Sequence, residues 1–110
     1  MFVEKKENYT LIKFESQNFE AFFNDFDAVY NSQKQNHLIV DLSIIIDTTT
    51  ENINKLLVWT TQSKALKKSF IVVVQNIDVD LVSEKITCTP TLLEAEDTLE
   101  MEAMERDLGF

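Results

Sequence analysis

The sequence predicts an α/β domain with a central mixed β-sheet and helices packed mainly on one side. Three observations carry that expectation. Two short apolar runs, Leu38-Ile39-Val40-Asp41-Leu42 and Phe70-Ile71-Val72-Val73-Val74, fit strands covered on both faces, as in a parallel sheet. A helical stretch at about residues 50–66 lies between them, which makes a strand–helix–strand crossover of right-handed sense. Earlier in the chain, Phe19, Phe22, Phe23, Phe26 and Tyr30 recur at the spacing of one helix face.

Each element follows from its local chemistry. Residues 2–5 and 9–14 are β-rich runs around the polar turn Lys6-Glu7-Asn8, which reads as an N-terminal hairpin. Asn18 is placed to cap the aromatic helix, with Asn24, Asp25 and Asp27 on its wet face. Thr48-x-x-Glu51 reads as a capping box opening the second helix. Ile53, Leu56 and Leu57 anchor that helix, and Lys64, Lys67 and Lys68 suit its negative C-terminal end. Residues 78–85 read as a short helix or a loop, and residues 86–88 as an edge strand. Thr91-x-x-Glu94 is a second capping box. The last helix carries an apolar stripe of Leu92, Ala95, Leu99 and Ala103, and Gly109 closes it. No linker or repeat interrupts residues 1–110, which read as one domain.

Composition excludes several function classes. Of 110 residues, 19 are acidic and 10 basic, for a net charge of -9, against nucleic acid and anionic membranes as partners. Residues 91–110 hold seven acids and one Arg, so two thirds of the excess belongs to the terminal helix. The one Gly, Gly109, leaves no glycine-rich phosphate loop. One His and one Cys build neither a usual zinc site nor an obvious triad. His37 reads as a surface residue at a strand start, and Cys88 as a small buried residue in the edge strand. The lone cysteine and the absence of a signal-like N-terminus point to the cytoplasm. No cofactor is expected. A carboxylate-only Mg²⁺ or Ca²⁺ site at Asp41, or at Asp78 with Asp80, stays open.

The element order, the Leu38-Ile39-Val40-Asp41-Leu42-Ser43 strand, the Asp47-Thr48-Thr49-Thr50 helix entry and the Phe70–Val74 strand resemble the STAS domain, the fold of anti-sigma-factor antagonists. The segments Pro90–Asp97 and Met101–Phe110 resemble a subgroup of small stand-alone STAS-like proteins of Bacteroidetes. The resemblance implies a regulatory, non-enzymatic protein-binding module. It further implies a phosphorylated hydroxyl at the second helix entry, placed at Thr48 with Thr49 and Thr50 as alternatives. Its partner would be a regulatory kinase or another cytosolic protein.

Other residues carry a choice between core and contact. Thr48 has a simpler role as helix cap. Trp59 is either core or a contact aromatic. Met101, Met104, Leu108 and Phe110 either pack back on the domain or form a partner surface, as Met-rich surfaces do. Asp47, Thr48, Trp59, Met101, Met104, Leu108 and Phe110 are therefore the candidate partner-binding set. The competing functions are a self-associating homodimer or accessory subunit of an enzyme and, more remotely, a small enzyme.

Overall fold

The computed structural model describes residues 1–15, 18–45 and 48–109. Five strands form one sheet in the order of the chain: β1 (Phe2–Lys5), β2 (Thr10–Lys13), β3 (Leu38–Asp41), β4 (Phe70–Val73) and β5 (Thr87–Thr89). The tight turn between β1 and β2, closed by Lys6 N–H donating to the Tyr9 carbonyl at 2.8 Å, makes their pairing antiparallel. Every later pairing is parallel, in the register Thr10↔Leu38, Leu38↔Phe70 and Ile71↔Thr87. The sheet is mixed because only β1 is reached by a hairpin; each of the other connections must cross over.

Among the described residues four helices cover the sheet: α1 (Phe19–Gln33), α2 (Thr50–Asn54), α3 (Leu57–Ala65) and α4 (Leu92–Asp107). Asn18 caps α1 as its sequence position predicts, its side chain accepting from Ala21 N–H at 3.1 Å. Phe19, Phe22, Phe26 and Tyr30 are buried, and half-buried Phe23 stacks on Trp59 with ring centroids 5.2 Å apart. Together with Ile53, Leu56 and Trp59 they meet the alternate strand residues Ile12, Leu38, Val40, Phe70 and Val72 in the main core. Period-2 alternation turns Leu11, Ile39, Ile71 and Val73 to the other face, where Tyr9, Ala95 and Leu99 complete a second core.

Sequential parallel strands joined by crossovers of one hand put α1, α2 and α3 on one face. The expectation of helices mainly on one side holds for these three. α4 follows the last strand, is bound by no crossover rule, and takes the opposite face. That is why the apolar runs of β3 and β4 are buried throughout.

The helix expected at 50–66 is divided. Around Lys55 and Leu56 the backbone tightens, with Lys55 N–H donating to Asn52 and Leu56 N–H to Ile53. Asn54, at the junction, bonds outward: its Nδ2 donates to the Leu81 carbonyl at 3.1 Å and its Oδ1 accepts from Ser83 N–H at 2.7 Å. Asn54 thereby fastens residues 79–83, where a single 3-10 turn (Val79–Leu81) is capped by Asp78.

α3 ends in a Schellman arrangement, with Lys68 N–H donating to Ser63 and Lys67 N–H to Lys64, both at 2.9 Å. Lys67 holds the left-handed position, φ +60, where glycine carries no steric penalty. Lys67→Gly is therefore expected to raise unfolding free energy by about 1 kcal/mol, read from the urea midpoint. A fall in the midpoint would show that the lysine side chain contributes more than the strain costs.

In the second core the Tyr9 hydroxyl donates to Glu96 Oε2 at 2.8 Å, tying the residue before β2 to α4. Burial, and then this carboxylate, pushes the phenol up to about 12. A pKa raised by folding stabilises fully below the unfolded phenol's pKa near 10 and is lost as pH climbs toward 12. Urea midpoints are expected to fall across that window and to fall less steeply in Tyr9→Phe. Tyr30, also raised by burial, keeps part of the slope.

Candidate functional site

The expected phosphosite lies at the α2 entry. Thr49, not Thr48, is the cap: its side chain accepts from Asn52 N–H at 3.1 Å. Half-buried Thr48 instead donates its hydroxyl toward the Ile45 carbonyl at 3.4 Å. The chain enters the helix one residue later than the Thr48-x-x-Glu51 pattern suggests. Of the three threonines only Thr49 is exposed, and Thr50 begins the helix half-buried. Asp47 lies outside the described residues.

Asp41 stands at the C-terminal end of β3, where α/β sheets place ligands. It is buried, and its Oδ1 accepts from Ser43 N–H at 2.9 Å, so the carboxylate closes a turn. Asp78 is likewise a cap, accepting from Asp80 N–H at 3.0 Å. Among the described residues no three metal-ligating side chains come together.

Trp59 is core. It is 4% exposed, its ring meets Phe26 edge-on at 4.7 Å, and its indole N–H donates to Asp27 Oδ1 at 3.0 Å. A ring so enclosed offers no face to a partner, which removes Trp59 from the contact set. Cys88 is half-buried, and burial pushes its thiol up to about 11, so thiolate is scarce at neutral pH.

His37 is more engaged than a surface residue. Its Nδ1 accepts from the buried Ser69 N–H at 3.0 Å, across the N-terminal ends of β3 and β4. The Ser69 hydroxyl in turn accepts from Arg106 Nη1 of α4 at 3.0 Å. Burial first, then the charges of Arg106 and Lys68, holds the imidazole below its ordinary range. His37 is thus a neutral acceptor that ties three elements together. Sequence distance hides this link, since its members stand 32 and 37 residues apart.

α4 supplies the most unusual surface. Of its predicted inward stripe, Leu92, Ala95 and Leu99 pack in the second core, and half-buried Ala103 lines a groove beside Leu99. Thr91 caps it by accepting from Glu94 N–H at 3.1 Å, and Gly109 ends it at φ +83. The outward stripe is Leu93, Met101, Met104 and Leu108, each 58–71% exposed. These residues do not pack back on the domain. Exposed Asp97 stands within the row, four residues from both Leu93 and Met101, and exposed acids border it at Glu94, Glu100, Glu105 and Asp107. Met104 also edges a groove of about 450 Å³ lined by Leu99, Ala103, His37 and Asn8. Phe110 lies outside the described residues.

A scan against protein-family models finds no match, and a search of the curated proteins finds no relative. No described helix is long and apolar enough to cross a membrane.

Proposed function

We propose that the chain is a non-enzymatic regulatory module of STAS-like type that docks a protein partner on the outer stripe of α4. The observation that carries this reading is the row Leu93, Met101, Met104 and Leu108, apolar and exposed along a helix with seven acids and one Arg. A strip of that kind favours a partner segment with an apolar face edged by Lys or Arg. It disfavours pairing with a second α4, which would bring like charges together. The STAS comparison draws support from the order of the elements, a hairpin followed by three parallel additions. A phosphorylation switch at the α2 entry belongs to the same reading, and Thr49, exposed and at the cap, is its best-placed acceptor.

The test places a photo-crosslinker at Met101 or Met104 in the full chain within native cytosol. A cross-link competed by unlabelled wild-type protein, and not by Met101→Glu with Met104→Glu, is the expected result. Equal competition by the double variant would remove α4 as the docking surface. Sedimentation across concentrations gives the self-association arm: a monomer is expected, and a dimer lost in the same double variant would assign the stripe to a second copy. Phosphopeptide mapping of Thr48–Thr50 from the same cytosol reads the switch.

A further inference from the structure

We propose that the cleft between the C-terminal ends of α3 and α4 binds a small oxyanion carrying more than one charge. The cleft, about 530 Å³, opens at the N-terminal end of the parallel strands and is lined by Lys64 and Lys67 of the α3 terminus, Lys68, Arg106 and Thr87. Four of the chain's ten basic residues thus converge in a protein of net charge -9. Among the described residues none of the four lies within ion-pair distance of a carboxylate.

Two features go beyond lysines offsetting a helix dipole. Arg106 is built in: its guanidinium is held by Ser69, which is held in turn by His37, so one arm of its fork is anchored and the others are free for a ligand. Lys67 sits at the left-handed stop of α3, so the turn that ends the helix carries it to the cleft. Burial first, and then the charges of Arg106 and Lys68, hold the adjoining His37 below its ordinary range. Glu102 and Glu105 also line the cleft and oppose an anion there. A compact group with several charges, a diphosphate or a polycarboxylate, gains most from cations approaching from both helices. This site is separate from the outer stripe of α4 and stands whether or not that stripe docks a partner.

The probe is sodium pyrophosphate, titrated into the full chain at constant ionic strength while NMR follows the ring protons of the single histidine and the Ser69 amide. A saturable shift is expected, with His37 titrating at higher pH once the cleft is filled. Lys68→Gln and Arg106→Gln are each expected to weaken binding about tenfold or more, the loss of one charge-assisted hydrogen bond. Glu105→Gln is expected to tighten it. Lys67→Gly is the control for folding, because it should bind more weakly while being more stable. A citrate arm separates the sources: saturation by pyrophosphate alone assigns a phosphate site, by citrate alone a carboxylate site. Shifts no larger than those from sodium chloride at the same ionic strength, or unchanged in Lys68→Gln, overturn the proposal.

Discussion

Phe26→Ala is expected to lower the unfolding free energy by about 3–5 kcal/mol, the usual cost of emptying an aromatic site in a packed core. Phe26 has no exposed surface and sits at the centre of the aromatic cluster. Its ring lies 4.9 Å from Phe22, 4.7 Å from Trp59, 6.1 Å from Tyr30 and 6.2 Å from Phe70. The cavity would open where α1, α3 and β4 meet, and the surrounding rings are each fixed by further contacts, so collapse into it is limited. Domains of this size hold about 5–15 kcal/mol in all, so the variant should approach the edge of folding. The lone Trp59, in contact with Phe26, makes fluorescence in urea a direct measure. Val58→Ala, on the exposed side of α3, should change stability by no more than about 0.5 kcal/mol. A loss below about 1.5 kcal/mol for Phe26→Ala would mean that the cluster is not the principal core.

The double change Met101→Glu with Met104→Glu is expected to weaken partner binding by at least about a hundredfold with the fold intact. Buried apolar anchors at interface centres commonly carry about 2 kcal/mol each, and every 1.4 kcal/mol is tenfold. Two added carboxylates further repel the basic rim expected of the partner. Neither methionine is part of the second core, which is closed by Ala95, Leu99 and Tyr9. Thermal midpoints should therefore stay close to wild type. A midpoint that collapses would show that the stripe is structural, and unchanged affinity in a folded variant would move the docking surface elsewhere.

Local chemistry made much of this fold legible. The period of Phe19, Phe22, Phe26 and Tyr30, the caps Asn18 and Thr91, and the paired runs at 38–42 and 70–74 each involve neighbours within a turn or a strand. The failures share a cause. Whether Thr48 or Thr49 caps α2 depends on one residue of chain path, and both side chains suit the role. Trp59 is settled by Asp27, 32 positions earlier. The His37–Ser69–Arg106 chain needs three elements in place, and the face taken by α4 is free of the crossover rule that orders α1 to α3. The cleft had only a faint sequence signal, a run of lysines and a single Arg in an acidic helix.

The placement of α4 has a consequence for how the protein is made. Strands are added in chain order, each beside the one before, so β1 to β5 and their three covering helices can assemble as they emerge. The face bearing Leu11, Ile39, Ile71 and Val73 has no cover until α4 has been synthesised and docked. For that interval a nascent chain presents an apolar sheet face to solvent, and exposed surface of this kind drives misassembly. The hydrogen bond between Tyr9 and Glu96, which joins the residue before an early strand to the latest helix, then acts as a closing latch, and slowing the arrival of α4 should favour chaperone capture over release.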